Sequence, residues 1–245
     1  MKDSIFEIKA NIALTDSVYK MTLSGDTSEI KSCGQFVNIK IDGLFLRRPI
    51  SVCDCEGDIL TLIYKVVGQG TERLSLMKEG EELLILTGLG NGYDISRSGD
   101  RPLLIGGGVG VPPMYLLAKK LIEKGAKPSV ILGFNTKDEI FYRNEFAALG
   151  CDVYVTTVDG SCGTKGFVTD VMDGIDYSYF YTCGPEPMLK AVYKNSKTDG
   201  EFSFEERMGC GFGACMGCSC KTITGYKRIC KDGPVMKKGE ILWEK

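Results

Sequence analysis

The chain has 245 residues, 43% of them hydrophobic, and a formal net charge of −2. That length suits two domains and a small appendage, and the near-neutral charge offers no basic surface for nucleic acid or an anionic membrane. Histidine is absent, which excludes a Ser-His-Asp triad, a Cys-His dyad, a His-ligated zinc site and a Rieske-type cluster.

The opening stretch, MKDSIFEIKANIALTDSVYK, alternates polar and apolar residues, unlike the unbroken apolar core of a secretory signal. No apolar run approaches the roughly 20 residues that span a bilayer. The expected compartment is the cytoplasm. Thiols stay reduced there, so eleven cysteines point to metal or redox chemistry before disulfides.

Residues 1–98 carry short β-rich runs, among them FVNIKI, ILTLIYKVV and ELLILTG, bounded by Gly, Asp and Glu. Closely spaced strands of this kind predict a small antiparallel barrel, with one short helical segment near TERLSLMKEG. From residue 99 to about 200 the pattern alternates. PLLIGG, PSVILGF, CDVYVTTVD and YFYTCGP read as buried strands. PPMYLLAKKLIEKGA, EIFYRNEFAALG, FVTDVMDGI and EPMLKAVYKNSKTD read as helices, the first with Pro near its start and Gly125 near its end. Strands alternating with helices predict a doubly wound parallel sheet. After residue 201 the alternation stops. Residues 207–233 are rich in Gly, Cys and Lys, and a segment so poor in core formers needs something else to hold it, which a bound metal would do.

Within that segment the spacing is Cys210-x4-Cys215-x2-Cys218, with Cys230 following. This is the plant-type [2Fe–2S] spacing. Gly209, Gly211, Gly213 and Gly217 permit positive φ and let amides approach the sulfurs. Structural zinc is the competing reading, but zinc knuckles come as paired C-x2–4-C. Cys220 is an alternative ligand; the x4, x2 frame and the separate segment of Cys230 favour Cys230. For Cys33, Cys53, Cys55, Cys151 and Cys162 a small buried hydrophobe is the plain expectation.

Three further motifs suit nucleotides. In LRRPISVCD, Arg48 presents a planar fork of donors to a phosphate or flavin edge. In IYKVVGQGTERL, Gly68, Gly70 and Thr71 open a helix and present free amides. IGGGVGVPP links a buried strand to a helix, the context of a diphosphate turn, although Val111 breaks the G-x-G-x-x-G fingerprint. YTCGPEPM ends the last strand of the same domain, which places Cys183 at the carboxyl-end crevice.

Taken together, RRPIS, IYKVVGQGT, GGGVGVPP and CGPEPM resemble the ferredoxin–NADP reductase superfamily. EERMGCGFGACMGCSC with KRICKDGPV narrows the resemblance to the electron-transfer subunits of bacterial NAD-dependent dihydroorotate dehydrogenase, over nearly the whole chain. The resemblance implies an antiparallel FAD-binding β-barrel (1–98), a parallel doubly wound NAD-binding domain (99–200) and a small C-terminal [2Fe–2S] domain (201–245). It assigns Arg48, Pro49, Ile50, Ser51, Ile63, Tyr64 and Lys65 to FAD, with Gly70 and Thr71 on its diphosphate. Gly107, Gly108 and Gly110 approach the NAD diphosphate. Cys183, as the catalytic candidate, and Gly184 lie near the nicotinamide and flavin. Cys210, Cys215, Cys218 and Cys230 hold the cluster.

The implied reaction is a relay from NADH through FAD and the cluster to the FMN of a separate catalytic subunit, in a heterotetramer of two plus two, serving pyrimidine synthesis. The alternatives are a related subunit of the sulfide dehydrogenase or bifurcating transhydrogenase type, and a zinc-bound interaction module without flavin. Lys137 and Asp138 in GFNTKDE leave NAD against NADP open at residue level. Trp243 is expected to pack on its own barrel.

Overall fold

The computed structural model describes residues 1–243; the last two positions of the 201–245 segment lie outside them. Six strands close an antiparallel barrel in the order β1-β2-β5-β4-β3-β6. They are β1 (Lys2–Ala13), β2 (Val18–Gly25), β3 (Phe36–Ile39), β4 (Arg48–Glu56), β5 (Ile59–Lys65) and β6 (Glu82–Leu89). Phe6, Ile8, Met21, Leu23, Leu60 and Leu62 fill the interior at 0% exposure, the inward face that period-2 alternation supplies. Helix α1 (Gln69–Leu76) crosses between β5 and β6.

The second unit is a sheet in the order β10-β9-β8-β7-β11-β12-β15. Its strands are β7 (Pro102–Gly107), β8 (Ser129–Phe134), β9 (Asp152–Thr157), β10 (Thr164–Lys165), β11 (Tyr179–Cys183), β12 (Gly200–Ser203) and β15 (Val235–Lys237). All neighbours are parallel except β12 and β15. Helices α2 (Pro112–Glu123), α3 (Arg143–Ala148), α4 (Thr169–Met172) and α5 (Glu186–Asn195) connect the strands. Helix α3 is shorter than EIFYRNEFAALG implies. Tyr142 takes a left-handed φ of 64° and is buried edge-on against Tyr115 at 5.1 Å, so packing ends the helical register before Arg143.

Beyond β12 the chain makes a hairpin of β13 (Ser219–Thr222) and β14 (Gly225–Arg228), then α6 (Ile229–Asp232), and returns as β15. β12 and β15 have four and three residues, too few to show periodicity in the sequence. Trp243 packs edge-on against Tyr193 of α5 at 5.2 Å and Phe202 of β12 at 5.5 Å. It therefore covers the α/β sheet and not the barrel. No disulfide joins any of the eleven cysteines.

Barrel and sheet share one continuous apolar core, which runs from Phe6 and Leu62 through Val111 and Leu117 to Tyr181. Polar contacts fix the junction. Tyr93 donates its hydroxyl to the Thr182 carbonyl (3.1 Å), Tyr181 donates to the Asp94 carbonyl (2.9 Å), and Lys119 pairs with Asp54 (2.9 Å). Glu201, 2% exposed, accepts from the Asp94 amide at 2.9 Å.

Burial raises the Glu201 carboxyl above its ordinary pKa, against the opposing Asp94 amide bond. The fold thus favours the neutral acid. Its stabilising share is full below the unfolded value of about 4.3 and is lost as pH rises through the raised folded value. Glu201→Gln keeps an acceptor and cannot ionise. Its Tm relative to wild type is expected to rise as pH increases from about 4 through the raised folded value and then to level off in thermal unfolding; a constant difference from pH 4 to pH 8 would refute the assignment.

Candidate functional site

Strand β7 ends at Gly107, and a tight turn through Gly108–Gly110 leads into α2. Its neighbours β8 and β11 lie on opposite sides, so the turn marks the point where strand order reverses and open α/β sheets take ligands. A cavity of about 540 Å³ opens there. Its wall includes Gly107, Gly108, Gly110 and Gly184 from the sheet, and Thr15, Ser17, Val18 and Lys65 from the barrel. Of the predicted residues, these glycines and Lys65 therefore meet in one place.

The three turn glycines differ in what they permit. A Cβ on Gly110 would strike the Cys183 carbonyl, and one on Gly107 would lie 2.5 Å from Met188 Sδ. Those two allow close packing of turn, β11 and α5. Gly108 has φ +51° and open space where a Cβ would be, so it leaves the backbone bare to the cavity. Pro112 and Pro113 open α2 and have no amide to give; the free donors come from the turn.

Cys183 is 1% exposed and is not part of the wall. The expected crevice-facing thiol is turned beneath the surface, with the Cys183 carbonyl against Gly110. Burial pushes its pKa up, Glu205 adds to this, and a bond with Ser203 opposes it. Glu205 itself lines the cavity, and the protein around it raises its carboxyl pKa. Sequence reasoning missed this residue, and it missed Glu139 and Phe167 in the same wall. Glu139 Oε2 accepts from both the amide (3.1 Å) and side chain (2.9 Å) of Asn135. Lys137 is outside the wall; Ser161 Oγ holds its amide at 2.8 Å.

A second feature lies on the barrel. β4 and β5 pair from Glu56↔Ile59 only as far as Val52↔Leu62. Arg48–Ser51 keep their ladder to β3 and Ile63–Lys65 theirs to β2, but the two segments are unpaired to each other, and the backbone groups on the edges that face each other are open to a planar polar ligand. Arg48 lies over Gly70 so closely that a Cβ there would collide with its Nε. A guanidinium thus adjoins the N-terminus of α1, where free amides favour an anion. Thr71 spends its hydroxyl on the Val67 (2.9 Å) and Gly68 (3.3 Å) amides. Tyr64 is 2% exposed and donates to Asn11 Oδ1 at 3.0 Å, which turns its hydroxyl into the barrel. Half-buried Pro49, Ile50 and Ser51 keep contact with the opening.

The cysteine segment lies against β3. Backbone amides link its cysteines in two pairs, Cys215 with Cys210 and Cys230 with Cys218. Among the described residues no three Cys, Asp or Glu side chains converge on a single-ion site. Amides of Ala214 and Cys215 donate to Cys210 Sγ (3.2 and 3.4 Å), Gly217 to Cys215 Sγ (3.5 Å) and Cys230 to Cys218 Sγ (3.4 Å). Burial opposes ionisation of Cys210, yet the amides of Cys215 and Phe212, with the Cys215 thiol, bring its pKa down to about 6. Burial and the Cys218 thiol push Cys230 up to about 12. Gly211 and Gly213 hold φ of 81° and 92°, the left-handed turns that let the loop wrap. Cys220 stands on β13 opposite Lys227, outside these pairs.

The comparisons with known proteins agree with this geometry. The iron-sulfur cluster binding domain of dihydroorotate dehydrogenase B matches residues 205–242, and the oxidoreductase NAD-binding domain matches residues 104–194. A dihydroorotate dehydrogenase B (NAD(+)) electron transfer subunit from Bacillus mycoides is 46% identical over 94% of both chains. The same subunit from Fusobacterium nucleatum is 43% identical over 98% of this chain and 99% of its own. The chain belongs to this family of electron transfer subunits.

Among solved structures, an NADH-dependent reduced ferredoxin-NADP oxidoreductase studied for flavin-based electron bifurcation is 31% identical. It has a TM-score of 0.88 and covers 97% of this chain and 90% of its own. The higher identity of the dihydroorotate dehydrogenase B subunits ranks that type second. A ferredoxin NADP+ reductase from Neisseria gonorrhoeae, with bound FAD and NADP, shares the fold at 18% identity, with a TM-score of 0.70 over 80% of this chain and 90% of its own.

Cys215→Ser is expected to lose all or nearly all iron while keeping bound flavin, because the β4–β5 opening lies in the barrel. Iron and flavin analysis of the purified variant checks this; full iron content would remove Cys215 from the ligand set.

Proposed function

We propose that this chain carries electrons between NAD(H) and the FMN of a dihydroorotate dehydrogenase catalytic subunit, through FAD and one [2Fe–2S] cluster, in pyrimidine synthesis. The observation that carries the reading is the adjacency of three features. The dinucleotide-sized cavity includes Lys65 of β5, the β4–β5 opening lies beside it, and the cysteine segment contacts β3, the strand paired to β4. Domain roles follow the same order: 1–98 for FAD, 99–200 for NAD and 201–245 for the cluster.

FAD, when bound, would supply the chemistry that turns a two-electron hydride into single electrons for a one-electron cluster. The chain's own residues arrange this chemistry. Arg48 and the start of α1, with Gly70 and Thr71, hold the FAD diphosphate. The backbone edges of Pro49–Ser51 and Ile63–Lys65 that face each other hold its ring edge. Gly108 admits the NAD diphosphate, and Gly107 and Gly110 keep turn and β11 in contact. Gly184, at the end of β11, would meet the nicotinamide end, and buried Cys183 would act as a positioning residue beneath it. Cys210, Cys215, Cys218 and Cys230 are the cluster ligands. Exposed Phe212, Cys215 and Met216 give the cluster loop an apolar face for the catalytic subunit, in a two-plus-two assembly.

NADH is the preferred dinucleotide on this reading. Glu139 follows β8, in the position from which an acid accepts from a ribose 2′-hydroxyl, and Lys65 is the only cation of the cavity wall among the described residues. Glu139→Gln is expected to narrow the kcat/KM preference for NADH over NADPH by about tenfold. An unchanged ratio would return the choice to other residues.

The primary experiment is an anaerobic visible spectrum during stepwise NADH addition to the isolated chain. Flavin and iron–sulfur bands are both expected to bleach. A colourless protein containing zinc, without iron or FAD, would refute the proposal.

A further inference from the structure

Strand β3 is buried on both faces. Val37 and Ile39 point into the barrel core at 0% exposure. Phe36, on the opposite face, packs in the second core with Cys218, Ile229 and Cys230 of the cysteine segment. Asn38 shares that outer face and is 2% exposed, where an aliphatic side chain would complete the packing without a polar cost.

Its Nδ2 donates to the Cys210 carbonyl at 3.3 Å. A Cβ on Gly211 would come within 2.5 Å of the same nitrogen, so the loop is drawn in to the closest approach a glycine allows. In register, Asn38 is opposite Pro49 of the β4–β5 opening. The other half of the amide, Oδ1, is buried with no hydrogen-bond partner. An orphaned buried acceptor is costly unless something outside the chain supplies a donor.

We infer that Asn38 is a positioning residue that bridges the two redox groups: Nδ2 fixes the cluster loop through Cys210, and Oδ1 accepts from an N–H or O–H of the bound flavin. This rests on the flavin and cluster reading above. Asn38 does not take or give electrons; it sets the approach of loop to flavin, and small misplacements of reacting groups carry large rate penalties.

The test uses the full chain with its cofactors. Asn38→Leu keeps the branched shape and heavy-atom count of the side chain and removes both bonds. Asn38→Asp keeps an acceptor and removes the Cys210 donor. After rapid mixing with NADH, cluster bleaching is expected to lag behind flavin bleaching by about tenfold or more, relative to wild type, in both variants. Asn38→Leu is also expected to shift the flavin absorption bands in the resting spectrum, whereas Asn38→Asp leaves them closer to wild type.

Wild-type cluster bleaching in Asn38→Asp overturns the loop half of the inference, including the case in which Asn38→Leu sheds its iron. An unshifted flavin spectrum in Asn38→Leu overturns the flavin half. A wild-type chain without FAD or iron would instead overturn the underlying reading.

Discussion

The seating of the cysteine segment on the outer face of β3 is the contact on which the rest of the arrangement depends. That segment has few apolar residues of its own. Ile229, Cys218 and Cys230 share a core with Phe36 of the barrel and with Phe202 and Met236 of the sheet, so the loop is held by surfaces the other two units provide. In return it buries a strand face that would otherwise be exposed. Hydrophobic burial, and not a linker, therefore fixes the distance between barrel opening and thiol pairs.

The same logic operates at the junction of barrel and sheet. Their core is continuous, and the buried tyrosine and Glu201 contacts lock the ends of β11 and β12 to the segment after β6. The cavity wall draws on both units, so its shape requires them to stay docked. A rigid junction suits a protein whose task is to hold groups at set separations, since preorganised geometry removes a reorganisation cost from each transfer.

Much of this was legible in the sequence because the informative residues are local. Turn glycines, the RRPIS run and the cysteine spacing each belong to one short segment, and local motifs survive being read without a structure. Asn38, Glu139 and Glu205 were not legible. Each is a common polar residue whose meaning comes from what the fold brings beside it: Cys210 is 172 positions from Asn38. Strands β12 and β15 were missed for a related reason, since their place in the sheet is decided by pairing partners and not by pattern. Cys183 was placed at the right strand end, but which way a side chain faces there depends on the packing of Gly110 and not on the motif.

The excursion that carries the cluster loop leaves the sheet after Ser203 and re-enters at Val235, and these two residues are register partners in β12 and β15. Its two ends are thus already joined by a strand pair before any loop is considered. Closing such an insert adds little entropy, and its length changes that cost only logarithmically. The segment is thus tethered at fixed endpoints: a change of its length would be felt at its seat on β3 and not in the order of the underlying sheet.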